Sequence, residues 1–340
     1  MKHFWQAALL ALILITAVLL VAGSDADITS CAIIMKSKNN KYNEQVADGY
    51  CSVMEKAGYQ CAKLYPDSYQ ARDQVILVKE LIREGVKSIA IAASDEHALT
   101  PVLKEAREKG IVVVTLDSDS EPAGRDIFVS PVQPEEIGAD LVQAVAQNCG
   151  YAGQWAILSS ETRSANQSEW IQAMQRELEK TEYKDMRLVN IVYGEDEYEE
   201  AVDKTRELIS TYPKLEVICS PTTVGIKAAA EVICDYGLQA RMKVVGLGLP
   251  SDMEKYIGSG PADVCPVMYL WNPEELGRLA ASLSVSLMKK EITLEEGEEY
   301  HTEDGRTFRI EAGDNGGLKV TAGEPLKLDE TNIDKWKDQM

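Results

Sequence analysis

Polar side chains recur at one kind of place in this chain, the end of a short apolar run. Lys36 follows CAIIM, Asp117 follows IVVVTL, and Asn166 and Gln167 lie shortly after WAILSS. Pro221, Thr222 and Thr223 follow LEVICS, and Trp271 and Asn272 follow VMYL. Together they offer a cation, a carboxylate, amides, hydroxyls and an aromatic ring. Amides and carboxylates make paired hydrogen bonds to hydroxyl groups. A flat ring such as Tyr42 or Trp271 covers the apolar face of a sugar. The set suits a polyhydroxylated small molecule. Singly, each residue has a plainer reading: Asp117 or Asn166 as a turn or cap residue, Lys36 as a solvated cation, Trp271 as core. Their shared position at strand ends is what joins them.

Catalytic signatures are missing. There is no GxSxG, no Walker loop, no HExxH, and no GxGxxG after the first strand. Asp117-Ser118-Asp119 has the form of a DxD metal motif, but no partner cluster of carboxylates is visible in the sequence. Three histidines, His3, His97 and His301, exclude a multi-histidine metal site. No enzyme, cofactor or metal is expected.

The elements that must carry these residues follow from the hydrophobic pattern. Near-continuous apolar runs at 28–35, 88–93, 111–116, 155–160, 188–193, 215–220 and 243–248 read as parallel strands buried on both faces. Amphipathic runs lie between them, several ending in glycine as helices do, at Gly58, Gly85 and Gly110. A repeated strand–helix unit gives an α/β, doubly wound architecture, and ligands of such sheets bind at the carboxyl ends of the strands. The number of strands calls for two Rossmann-like lobes. Irregular stretches at 117–134 and 246–252 mark the breaks. The tail carries an acidic run at 295–305, then a hairpin turning at Asp314–Gly317. The acidic run EDEYEE (195–200) reads as a solvated helix start.

Composition sets the compartment and the partners. The 340 residues are 45% hydrophobic and 26% charged, with a net charge of -20. Such a chain repels phosphate backbones, so nucleic acid is excluded as a partner. Residues 4–22 carry no charge, with Lys2 before them and Asp25 and Asp27 after. Segment 1–24 is therefore a cleaved signal peptide or an N-terminal membrane anchor, and either exports the rest of the chain to an extracytoplasmic site. Seven cysteines, none in a CxxC pair, read as small buried apolar residues, with one disulfide open to an exported protein.

These segments resemble the type I periplasmic solute-binding proteins, and among them the autoinducer-2 and rhamnose binding proteins of ABC importers. The resemblance rests on TLDSDSEPAGRDIFVSPVQPEEIG (115–138), AILSSETRSANQSEWIQAM (156–174), LEVICSPTTVGIKAAAE (215–231), KVVGLGLPSDMEKYIGSG (243–260), YLWNPEELG (269–277) and the tail 313–336. It covers nearly all of 28–336. It implies two lobes joined by a three-segment hinge, 28–129 plus 251–292 and 130–250 plus 293–340, closing on a ligand in the cleft. The family's ligand lysine falls on Lys36 and its aspartate on Asp117. The Asp-Gln pair of autoinducer-2 binders falls on Asn166 and Gln167, the Pro and Ala on Pro221 and Thr223, and the Trp-Asp on Trp271 and Asn272. Two negative charges are lost and a hydroxyl is gained, which points from autoinducer-2 toward a related polyol or sugar. Leu247-Gly248 stands where ribose-type binders carry an aspartate, which argues against ribose and galactose. The implied partners are the ABC transporter permease or, for an anchored sensor, a histidine kinase.

The 19 uncharged residues of 4–22, at about 1.5 Å each, reach across a bilayer core of roughly 30 Å. The native protein is expected to keep this segment as an anchor. Intact-mass measurement tests it, and a soluble mature form beginning near Ser24 contradicts it.

Overall fold

The computed structural model describes residues 30–340 except residue 259. The hydrophobic segment expected to be a signal or anchor lies outside the described residues. Among those residues no helix is long and apolar enough to cross a membrane.

The chain opens with β1 (Cys31–Ile34), α1 (Lys41–Lys56), β2 (Cys61–Leu64), α2 (Ala71–Glu84), β3 (Ser88–Ile91), α3 (Glu96–Glu108), β4 (Val112–Leu116) and β5 (Ile127–Ser130). β1 and β3 are buried along their whole length, as their uninterrupted apolar sequences require. α4 (Pro134–Asn148) starts on a proline followed by two glutamates, which suit the electropositive end of a helix. Then come β6 (Gln154–Ser159), α5 (Ala165–Glu177), β7 (Arg187–Tyr193), α6 (Tyr198–Thr211), β8 (Leu215–Ser220), α7 (Thr223–Asp235), β9 (Lys243–Leu247), the short α8 (Pro250–Met253) and β10 (Met268–Leu270). The last part holds α9 (Pro273–Met288), the β11 (Glu299–His301) and β12 (Thr307–Arg309) pair, β13 (Glu311–Ala312), β14 (Leu318–Thr321), β15 (Leu326–Leu328) and α10 (Ile333–Trp336).

Two large sheets result, a seven-stranded one ordered β13-β14-β5-β4-β3-β1-β2 and a six-stranded one ordered β15-β10-β9-β8-β6-β7, with β11 and β12 forming a small third sheet. Pairing within the large sheets is parallel except at the β13–β14 and β10–β15 edges. Each large sheet with its helices is a lobe, the two-lobed α/β fold expected from the repeated strand–helix unit. β2 and β5 were not anticipated, because CAKL is partly exposed and IFVS lies inside an irregular stretch.

The second and third boundaries move. β10 pairs with β9, Met268 opposite Gly246, so the chain stays in the second sheet until residue 270 rather than leaving near 250. β14 pairs with β5 in the first sheet, so the last crossing lies between β14 and β15 and not at 292. The glycine-rich stretch at 246–248 has another cause. A Cβ on Gly246 would sit 1.9 Å from the Ser220 carbonyl, so glycine there lets β9 lie against β8. α9 returns to the first lobe and packs on α1. The crossing is so close that a Cβ on Gly277 would meet the Val46 carbonyl at 2.0 Å.

A disulfide joins Cys51 on α1 to Cys61 on β2. The other five cysteines are unpaired, and Cys31, Cys149, Cys219 and Cys265 are buried, as their apolar surroundings suggested.

The loop between β4 and β5 is held by a buried ion pair. The Asp119 carboxylate accepts from Arg125 Nε at 2.5 Å and Nη2 at 2.6 Å, and from Thr115 Oγ1 at 2.6 Å. Arg125 Nη1 donates to the Leu318 carbonyl, and the Asn315 amide donates to Asp119 at 3.1 Å. The network ties the β4–β5 loop to the β13–β14 hairpin, beside two of the segments that cross between lobes. Removing the carboxylate leaves a buried guanidinium without its counter-charge. Asp119→Ala should cost roughly 3–5 kcal/mol of stability. Urea unfolding measures it, and a loss below about 1 kcal/mol contradicts this account.

Candidate functional site

The carboxyl ends of both sheets face each other across a cleft of about 480 Å³. Lys36 leaves β1 and reaches across it. Its Nζ donates to Ser164 Oγ at 2.7 Å and Asn166 Oδ1 at 3.2 Å, and lies 3.6 Å from Asp117. Asp117 leaves β4 with φ at 63°, a left-handed conformation that aspartate tolerates better than most residues. Its carboxylate accepts from Tyr42 OH at 2.8 Å and from Asn166 Nδ2 at 3.2 Å. One lobe's lysine and aspartate thus close a ring with the other lobe's serine and asparagine.

Aromatic rings form one wall. Trp271 Nε1 donates to Tyr42 OH at 2.7 Å, and the two rings meet edge to face. Trp170 tilts against Trp271 with centroids 5.6 Å apart. Burial and the neighbouring Asp117 charge hold the Tyr42 hydroxyl well above its ordinary pKa, so it stays a neutral donor. Gln167 is fixed from both ends, accepting from Ser159 Oγ at 2.6 Å and donating to the Pro221 carbonyl at 2.9 Å. Pro221, Thr222 and Thr223 line the same cleft.

The structure therefore brings together Lys36, Tyr42, Asp117, Asn166, Gln167, Pro221, Thr222, Thr223 and Trp271. Asn272 is not among them. Its side chain caps α9, accepting from the Glu275 amide at 3.3 Å, and the residue is exposed. Successive side chains leaving a strand point to opposite sides, so Trp271 facing the cleft turns Asn272 away.

Several lining residues escaped the sequence reading, among them Trp170, Asp196 and Glu161. Trp170 lies one turn after Asn166 and Gln167 on α5, a spacing that puts it on their face. Asp196 sits in the acidic run read as a solvated helix start. Its carboxylate accepts from Thr222 Oγ1 at 2.8 Å and, from the other lobe, from Asn40 Nδ2 at 3.0 Å. Burial raises its pKa against the pull of these donors and of Lys36. Glu161 lies two residues past the end of β6, and burial pushes its carboxyl up to about 7. The strand-end rule applies to both acids as it does to Asp117.

Residues 31–292 match the family described as periplasmic binding protein domain. Over 223 residues the chain is 24% identical to a D-ribose/D-allose-binding protein of Pseudomonas aeruginosa, covering 63% of this chain and 69% of that one. Among solved structures it resembles an ABC transporter solute binding protein from Clostridium phytofermentas with bound L-rhamnose. The two are 39% identical with a TM-score of 0.89, over 91% of this chain and 98% of that one. LsrB from Clostridium saccharobutylicum in complex with AI-2 shares the fold, with a TM-score of 0.83 at 19% identity over 90% and 99% of the two chains.

Asp117 links the lysine, the tyrosine and the asparagine of the opposite lobe. Hydrogen bonds to a charged group are worth roughly 1.5–3 kcal/mol each. Asp117→Asn keeps the shape and the left-handed backbone while removing the charge. It should weaken ligand binding by about tenfold to a hundredfold and leave the fold intact. Calorimetric titration checks this, and wild-type affinity in the variant removes Asp117 from the site.

Proposed function

The chain belongs to the periplasmic binding protein domain family, the sugar-binding solute-binding proteins of ABC transporters, and from that we propose that it captures a neutral monosaccharide for import. Members of this family work outside the cytoplasm, and its relatives are sugar-binding proteins rather than enzymes. The mechanism is hinge closure. Apart, the lobes expose two half-sites, one with Lys36, Tyr42 and Asp117, the other with Asn166, Gln167 and Thr223. A sugar whose hydroxyls engage both half-sites stabilises the closed arrangement, shifting the population toward it. A permease that recognises the closed form then receives the sugar.

The observation that carries this reading is the ring of Lys36, Ser164, Asn166 and Asp117, built from both lobes beside Tyr42, Trp170 and Trp271. The rings, with Leu247 and Leu270, give one side of the cleft an apolar lining. That lining suits a deoxysugar, whose methyl group gains from burial, and the relative with bound L-rhamnose points the same way.

The charge argument against autoinducer-2 changes its basis. Asn272 lies outside the cleft, while Glu161 and Asp196 bring carboxyls into it. The preference for a sugar now stands on Asn166, the apolar wall and the rhamnose-bound relative.

L-rhamnose is expected to bind at least as tightly as autoinducer-2, and D-ribose more weakly than either. Calorimetry with all three decides the order, and tight autoinducer-2 binding with no sugar response overturns it. Membrane co-purification should recover a permease. Recovery of a histidine kinase instead would make the chain a sensor.

A further inference from the structure

Four charged residues line the cleft: Lys36, Asp117, Glu161 and Asp196. Three are held by hydrogen bonds to neighbours, as described above. Glu161 is different. It is 7% exposed, and its carboxyl takes part in no hydrogen bond with any described residue. Its oxygens open onto the cleft, so the carboxyl is free to take up a ligand's hydrogen bonds. Glu161 also borders a neighbouring cavity with Tyr69, Ser94, Asp95 and Arg163, so it lines both that cavity and the cleft.

We propose that Glu161 is a ligand-reading carboxyl, exchanging hydrogen bonds with a hydroxyl of the bound sugar when the lobes close. This rests on the sugar-binding reading above. A neutral carboxyl offers a donor and an acceptor, which matches a hydroxyl that both accepts and donates. The surroundings favour its neutral form. Lys36 draws its proton off, but burial, Asp196 and Glu195 on its own lobe, and Asp95 from the other lobe all favour protonation, to a pKa of about 7. Arg163, the next cation along the chain, is paired with Asp95 at 3.6 Å. Tyr69 donates instead to the Asp196 carbonyl at 3.0 Å.

The sign follows from linkage. An open form that exposes Glu161 to water would bring it back toward the ordinary glutamate value, near 4.3. The closed form has the raised value, so closure takes up a proton. The gain is fully present below the open-form value and is lost as pH rises through about 7.

The experiment titrates L-rhamnose into wild type, Glu161→Gln and Glu161→Ala between pH 5.5 and 8.5, in two buffers of different ionisation enthalpy. Wild-type affinity should fall by roughly tenfold or more across this range, with proton uptake on binding near neutrality. Glu161→Gln, a permanently neutral group of the same shape, should keep the acid-side affinity at every pH and take up no proton. Glu161→Ala should bind about tenfold more weakly than Glu161→Gln throughout. The assignment is overturned if Glu161→Gln keeps the wild-type slope, or if Glu161→Ala binds as Gln does. A slope that disappears in Asp196→Asn instead gives the proton to Asp196 and also overturns it. If Asp117→Asn weakens binding while both Glu161 variants match wild type, only this inference fails. If wild type binds no sugar at any pH, the sugar-binding reading falls with it.

Discussion

The molecule is organised around a lysine that cannot be satisfied by its own lobe. Lys36 is buried at the end of β1, and a buried ammonium needs a counter-charge and hydrogen-bond acceptors. Its lobe supplies the first, Asp117 at 3.6 Å. The acceptors, Ser164 and Asn166, belong to the other lobe. In the open form water must take their place. In the proposed closure, these acceptors from the other lobe would replace that water as the ligand is captured, coupling occupancy to closure. The same logic holds at Asp196, whose donors come from Thr222 on its own lobe and Asn40 on the other.

For such coupling to work, the two half-sites must be stiff and the connection between them must bend. The close α1–α9 crossing makes the first lobe rigid around Tyr42, because helices that touch backbone to backbone leave little room to slide. The Cys51–Cys61 disulfide binds the other end of α1 to the sheet. The Asp119–Arg125 pair fastens the β4–β5 loop, and so the base of Asp117, to the hairpin that precedes the last crossing. Asp117 and Asp119 are two residues apart with opposite duties, one presented to the cleft and one committed to the scaffold. The DSD run therefore reads as a site residue and its brace, and the metal reading of that motif has no support in the geometry.

Much of this was legible because strand ends are local. An apolar run followed by a polar residue can be read without knowing what lies opposite, and that is how Lys36, Asp117 and Gln167 were found. The misreadings arise where the deciding neighbour is distant in sequence. β10 is three residues long, and only its pairing with β9 and β15 assigns it to the second sheet. Whether Trp271 or Asn272 faces the cleft depends on strand phase, and the residue types do not reveal it. Asp196 and Glu161 look like ordinary solvated acids until the other lobe covers them. Burial by a partner surface leaves no periodic trace in the chain.

The electrostatic inventory of the closed cleft then limits what it can hold. The chain as a whole carries a net charge of -20, and the cleft itself has three carboxyls against one lysine. Lys36 is already committed to Asp117, Ser164 and Asn166. A sugar phosphate or a uronate would bring an anion into a low-dielectric space with no free cation to receive it, where a buried unpaired charge costs several kcal/mol. The surface field would slow its approach as well. A neutral sugar meets neither obstacle, because it brings no charge that needs a counter-ion. Under the proposed function, the carboxyl-rich cleft would filter by charge before shape, and the apolar wall of Trp170 and Trp271 would then discriminate among neutral sugars.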